Sequence, residues 1–216
     1  MTVSSGPTIG IYGASGFGRE VMPLARQQFG HSRLFVFIDD NATDTAVNGH
    51  PVYDYATFCG LAGEKAAVIA IADSGIRQRL DKRLASDGIP ILGIRSTTTL
   101  VGDACSVGEG AIFCGFTQMT SNIVIGRHFH CNFYSYVAHD CVIGDFVTFA
   151  PGVRCNGNIH IGDGAYIGSG AMIRQGRPGQ PRLIGAGAVI GLGAVVLGDV
   201  APGETVVGNP ARPLRR

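Results

Sequence analysis

From residue 101 onward an apolar side chain returns every six residues, and few folds accommodate that period. The series is Val101, Val107, Phe113, Met119, Ile125, Cys131, Val137, Ile143, Phe149, Cys155, Ile161, Ile167 and Ile173, with no polar interruption. In a chain that is 45% apolar, such a run in one frame has a chance of roughly 3 in 100,000. After a step of eleven the register resumes at Ile184, Ile190 and Val196. The next residue is often glycine, as at Gly102, Gly108, Gly126, Gly144, Gly162, Gly168, Gly185 and Gly191, and the fourth is usually small or apolar. This is an internal repeat in which two residues per hexad point inward and a turn follows each short strand. Stacked coils of this kind pair their backbones ~4.8 Å apart, as in any sheet.

The repeat also accounts for most of the cysteines. Cys105, Cys131, Cys141 and Cys155 fall on inward positions, and the six cysteines form no C-x-x-C pair. They read as small buried hydrophobes with reduced thiols, not as zinc ligands or disulfides. Glycine supplies 33 of 216 residues without a three-residue period, which excludes collagen and fits a turn-rich β architecture. A net charge of +1 gives no electrostatic case for nucleic acid or an anionic membrane surface. No apolar run approaches the ~20 residues of a membrane helix, and the start lacks the pattern of a secretory signal, so a cytoplasmic location is expected.

The first ~95 residues alternate strand-like and helix-like segments. Thr8–Tyr12 reads as a strand that ends in the Gly-rich run Gly13-Ala-Ser-Gly-Phe-Gly18, followed by a helix over 19–28. Leu34–Ile38 reads as a second strand closed by Asp39-Asp40, and Ala67–Ala72 as a third. Asp73-Ser74 then caps a helix over 76–85, and Ile89–Leu92 completes the set. The implied unit is a small parallel α/β domain, too short for a full dinucleotide fold of two halves.

The 101–208 repeat resembles the hexapeptide-repeat, left-handed parallel β-helix of acyltransferases, in which three hexads make one triangular coil. The ending Val207-Gly-Asn-Pro-Ala-Arg212 is similar to that family's G-N-P-A-[RK] terminus. Across the whole chain the resemblance narrows to bacterial nucleotide-sugar N-acetyltransferases and the related sialic-acid O-acetyltransferases. It rests on Ile11–Gly18, Phe37-Ile-Asp-Asp40, Ile69–Asp73 with Ile76-Arg77, and Val137-Ala-His-Asp-Cys-Val-Ile-Gly144. The resemblance implies a Rossmann-like nucleotide-sugar-binding α/β domain over 1–97 and a β-helix acyltransferase domain over 98–216. It also implies acetyl-CoA as co-substrate, no metal, and a homotrimer with sites at subunit interfaces.

The informative histidine is His139, which replaces a turn residue after the inward Val137 and precedes Asp140. An imidazole titrates near neutrality, and a neighbouring carboxylate can fix its tautomer or raise its basicity. Similar acyltransferases carry a catalytic histidine followed by Glu or Asp at a coil edge, so His139 and Asp140 are the expected catalytic pair. His128, His130 and His160 raise the alternative of a zinc hydratase. Equivalent positions are ~18 residues apart, however, and His139 differs from the others by 11, 9 and 21, so they share no column with it. These three are expected at solvent or a subunit interface.

Gly13, Gly16 and Gly18 give G-x-x-G-x-G, not the dinucleotide fingerprint G-x-G-x-x-G. A tight strand-to-helix turn would suffice to explain them, yet such glycines also let backbone N–H groups approach a phosphate. The expected substrate-binding set is Gly13, Ala14, Ser15, Gly16, Gly18, Asp39, Asp40, Ala72, Asp73, Arg77 and Asn132. Asp39-Asp40 would accept from a base or ribose, or form a solvated turn; Arg77 is a phosphate partner or a surface charge. For acetyl-CoA the resemblance implies Thr148, Gly157, Gly191, Asn209, Pro210 and Arg212. Thr148 stands where some relatives place a second histidine. The arginine-rich excursion Arg174–Arg182 is a surface loop or a cationic lip for acyl-CoA phosphates.

The implied reaction is acetylation of the C4 amine of a nucleotide-linked 4-amino-4,6-dideoxy sugar, such as GDP-perosamine or a UDP-linked relative, for surface glycans. An O-acetyltransferase on a sialic-acid-like hydroxyl and a non-catalytic β-helix assembly module are the alternatives.

Overall fold

A computed structural model describes residues 6–214. The chain divides into two compact units, Met1–Ile94 and Arg95–Arg216. In the first unit the elements run β1 (Thr8–Tyr12), α1 (Gly16–Phe29), β2 (Phe35–Ile38), β3 (Ala46–Val47), β4 (His50–Tyr53), α2 (Tyr55–Gly60), β5 (Lys65–Ile69) and α3 (Ser74–Ser86). The sheet order is β3-β4-β2-β1-β5, parallel throughout except for the β3–β4 hairpin. All five residues of β1 and all four of β2 are buried, as central parallel strands require.

Three features differ from the sequence expectation. The hairpin and α2 fill the stretch between Ile38 and Ala67, for which the sequence pattern predicts no element. The hairpin turns at Asn48-Gly49 with φ of 49° and 78°, a dipeptide pattern that itself signals such a turn. The third strand starts and ends earlier than 67–72, leaving Ile71–Ala72 as a loop before Asp73 caps α3 through its bond from the Ile76 amide. Ile89–Leu92 contributes only a single bridge, Ala67 to Ile91, because Pro90 has no N–H to extend a ladder.

The second unit is a parallel β-helix with three faces of six, five and eight strands. Before the 174–182 excursion, partners sit 18 residues apart on every face: Met119 pairs with Val137 and Val137 with Cys155, Ile125 with Ile143, and Cys131 with Phe149. Across the excursion the step is longer, pairing Ile161 with Ile184 and Ile173 with Val196. From Phe113 onward every inward position of the series is at most 3% exposed. Val101 and Val107 do not follow: both are exposed, because their strands are the outermost of their sheets and no further coil covers them. Cys105, in the same first coil, is only partly buried, whereas Cys131, Cys141 and Cys155 are buried free thiols.

The corners have a period of their own. Left-handed backbone recurs at every sixth residue: Ala104, Gly110, Phe116, Asn122, His128, Tyr134, Asp140, Phe146, Gly152, Asn158, Gly164 and Gly170. Residues one coil apart therefore stack in three corner columns. His128 lies on Phe146 (centroids 4.9 Å apart) and Phe116 on Tyr134 (5.3 Å). Asp140 belongs to the column of Asn122 and Asn158, between the six- and five-stranded faces. Asp and Asn are the side chains that best tolerate this conformation after glycine.

Candidate functional site

His139 is set at that corner by the strand Tyr136–Val137 before it and Val142–Ile143 after it. Val137, Cys141 and Ile143 point into the core, so the intervening residues turn outward. The imidazole Nδ1 is 2.7 Å from the Asp140 carboxylate, and both side chains are 48% exposed. A carboxylate only accepts, so in the neutral imidazole Nδ1 carries the proton and Nε2 keeps its lone pair. The described residues give Nε2 no partner. The ring is thus oriented on one side and open on the other, as a general base must be.

The neighbouring coil supports this corner. The Asn158 amide donates to the His139 carbonyl (2.9 Å), and the Cys141 thiol donates to the Asn156 carbonyl (3.2 Å). Asn156 accepts from the Tyr136 hydroxyl and donates to the Ile173 carbonyl, each at 2.8 Å. Tyr136 and Asn156 carry no motif; only the 18-residue step from His139 to Gly157 could have drawn attention to them.

In the α/β unit the anticipated side chains are largely turned to internal use. Asp39 accepts from the amides of Ala14 and Asn41 (both 3.1 Å), tying the Gly-rich run to the end of β2. Asp40 accepts from the Tyr12 hydroxyl (2.7 Å), the Tyr55 amide (2.8 Å) and Arg83 (3.0 Å). Burial pushes this carboxyl up, but those three donors outweigh it and hold it below the usual carboxylate range. Burial and the Asp40 bond together raise the Tyr12 hydroxyl. Arg83 also lies over the Tyr55 ring, 3.8 Å from its centroid. Tyr12, Tyr55 and Arg83 are scattered over 71 residues, and no local pattern links them.

Arg77 is neither an exposed phosphate partner nor a surface charge. It is fully buried, and its NH1 donates to the carbonyls of Ile71 (2.8 Å) and Ala72 (2.7 Å). Burial depresses its guanidinium to about 10. Two of the three glycines are needed by the turn alone: Gly13 has φ 107° against the Ala70 carbonyl, and a side chain at Gly18 would strike the Gly13 oxygen. Gly16 faces open space at the start of α1, where Ser15 makes no side-chain cap and the first turn has no acidic residue. What this unit offers a ligand is the backbone of residues 14–18 at a helix N-terminus, shaped by Asp39 and, across the loop of Ile71–Ala72, by Arg77.

The residues expected to line the acyl-donor site are spread along the β-helix. Gly157 lies directly against the His139 ring. Thr148 is 3% exposed on the eight-stranded face, which is the side of the prism opposite the His139 corner. Asn132, expected among the substrate contacts, is buried, with its side-chain amide donating to the Phe149 carbonyl (3.2 Å). Gly191 abuts Val207, and Asn209, Pro210 and Arg212 belong to the terminal hairpin, where Arg212 pairs with Val207. The excursion folds back on itself through Arg177 and Gln180, and Arg182 pairs with Asp199 (2.8 Å). Of the three histidines expected at solvent or a subunit interface, His160 is exposed, whereas His128 and His130 are buried, His128 between Phe146 and Gly110. A cavity of about 400 Å³ lined by Tyr55, Cys59, Lys65, Arg83 and Asp87, among others, contains none of the anticipated residues. Among the described residues, no helix is long and apolar enough to cross a membrane and no His, Cys, Asp and Glu cluster could hold a metal ion.

An imidazole that is held by a carboxylate and open at its second nitrogen suits proton transfer. On the corner of a β-helix of this repeat, it places the protein among the hexapeptide-repeat acyltransferases. Comparison with known proteins narrows the group. Residues 8–84 match the family described as the PglD N-terminal domain. The chain is 47% identical over 214 residues to the GDP-perosamine N-acetyltransferase of Escherichia coli O157:H7, covering 96% of each. It is 56% identical to WeeI from Acinetobacter baumannii AYE, with a TM-score of 0.94 over 97% of this chain and 100% of that one. The acetyltransferase domain of PglB from Neisseria gonorrhoeae FA1090, solved with acetyl coenzyme A, is 30% identical with a TM-score of 0.87 over 97% and 100% of the two chains. The chain belongs to the nucleotide-sugar N-acetyltransferase family, with its small parallel α/β domain and left-handed β-helix, and is an acyltransferase.

Proposed function

We propose that this enzyme transfers the acetyl group of acetyl-CoA to the C4 amine of a GDP-linked 4-amino-4,6-dideoxy sugar, a reading supported by the relative named GDP-perosamine N-acetyltransferase. The observation that carries this reading is the 47% identity to that relative over 96% of both chains, with His139 poised as described. The sugar amine attacks the thioester carbonyl in its uncharged form. Nε2 of His139 accepts the amine proton as the C–N bond forms, the C–S bond breaks, and the proton passes to the departing CoA thiolate. Asp140 holds the tautomer that leaves Nε2 basic. The backbone around Gly16 takes the diphosphate, and positioning of both substrates supplies much of the remaining acceleration.

The site is completed between copies of the chain, as a homotrimer in the cytoplasm. One prism presents the half-exposed His139 imidazole on an outer corner, so a neighbouring prism supplies the second wall that an extended acyl donor needs there. The test is incubation with acetyl-CoA and a panel of GDP- and UDP-amino sugars, following CoA release and product mass. GDP-perosamine should be the preferred acceptor. Acetylation of a hydroxyl sugar with no reaction on any amino sugar would reject the reading, and a fully active monomer in light scattering would reject the interface site.

A further inference from the structure

We infer that Gly157 is a positioning residue whose bare Cα forms the seat of the His139 imidazole; the inference rests on the reading of His139 as the base. Gly157 stands 18 residues after His139 and so one coil further along the same corner. A methyl group placed on it would lie 2.5 Å from both Cε1 and Nε2 of His139 and 2.9 Å from Nδ1, and these ring atoms are its three nearest neighbours. No carbon–nitrogen contact survives at that distance, so a side chain here and the observed ring position exclude each other.

The backbone does not itself call for glycine at this position. Gly157 is outside the left-handed region; the left-handed residue of this corner is Asn158, φ 55°. Gly110 makes the contrast plain. It too lies against a histidine ring, that of His128 at 2.6 Å, but its φ of 71° already favours glycine. At 157 the ring alone accounts for the missing side chain.

The seat is also rigid. Asn156 is pinned by Tyr136, Ile173 and the Cys141 thiol, and the Gly157 carbonyl accepts from the Gly176 amide at 3.0 Å. A substituent at 157 therefore moves the ring, not the floor. Seat and carboxylate together set where Nε2 points: Asp140 fixes the Nδ1 edge, and Gly157 lets the ring lie back along the corner. Misplacing a reacting group by about 1 Å can cost a hundredfold in rate.

Gly157→Ala tests this. The backbone accepts alanine and the obstructing ring can swing away, so the melting temperature should stay within about two degrees of the parent protein. The expected kinetic result is a kcat lowered roughly 10- to 100-fold, with KM for acetyl-CoA and for the sugar nucleotide within about twofold. The His139 ring resonances in NMR spectra should move, and Gly157→Ala should cost nothing further in a His139→Asn background. If Gly157→Ala instead lowers the melting temperature, adding His139→Ala should restore it by removing the ring. Parental kcat with unmoved ring resonances would overturn the inference. So would a raised KM for acetyl-CoA at unchanged kcat, which would make Gly157 a contact of the acyl donor. Full turnover by His139→Asn alone would overturn the base assignment instead, and the ring resonances still test the seat in that case.

Discussion

In the α/β unit, side chains that could have met a ligand are turned inward to hold backbone, whereas in the β-helix the backbone is cut back to hold one side chain. Asp39, Asp40 and Arg77 spend their charges on the amides and carbonyls of residues 14, 41, 55, 71 and 72 or on neighbouring side chains. At the His139 corner the neighbouring coil presents a glycine, and the imidazole keeps a nitrogen open. The difference matches the task proposed for each unit. A diphosphate is well recognised by N–H groups in a fixed array, which needs a shaped loop. Proton transfer needs a titratable group in one orientation, which needs a shaped floor.

Substitutions sharpen the contrast by separating turnover from binding. The largest effect should come from His139→Asn, with kcat reduced ~100- to 10,000-fold and acetyl-CoA affinity nearly unchanged, read by steady-state kinetics and calorimetry. Asp140→Asn removes only the orienting carboxylate of a half-exposed pair and should cost roughly tenfold in kcat. Equal losses for the two would mean that the carboxylate does more than orient.

In the other unit the expected signature is reversed. Arg77→Met leaves the Ile71 and Ala72 carbonyls without their donor inside the protein, at a cost of about 1–3 kcal/mol in thermal unfolding. It should raise KM for the sugar nucleotide several-fold while kcat holds. A kcat loss with unchanged KM would break the comparison.

Asp40→Asn should cost about 1 kcal/mol at neutral pH, a charge-assisted bond discounted for partial exposure. Because the folded-state carboxyl is held below its ordinary value near 3.8, its contribution is present above that pH and fades as pH falls through the lowered value. Denaturation curves of parent and variant should therefore converge in acid. The smallest effect is expected for Cys141→Ser, whose hydroxyl can replace the thiol as donor to Asn156. Turnover should stay within about twofold of the parent, and its abolition without unfolding would point to a nucleophilic cysteine.

Much of this molecule was legible in the chain because a repeat states its own register. The six-residue period places the inward set, the buried cysteines and the outward His139-Asp140 pair by position alone. The exceptions, Val101, Val107 and Cys105, sit where the stack ends, and a period carries no information about its own ends. The α/β unit is less legible in the chain. Its strands announce themselves by apolar runs, but the Asn48-Gly49 hairpin is short and partly polar.

What the sequence by itself determined is the architecture and the outward placement of the His139-Asp140 pair, since both depend on spacing along the chain. Only the tertiary structure decided the roles of the other polar residues. Whether Arg77 meets a phosphate or two loop carbonyls, whether Asp40 is free or bound by Tyr12, Tyr55 and Arg83, and whether His128 is wet or buried depend on contacts between distant segments. A charge is driven to whichever partner desolvation leaves within reach, and no local pattern of residues contains that distance.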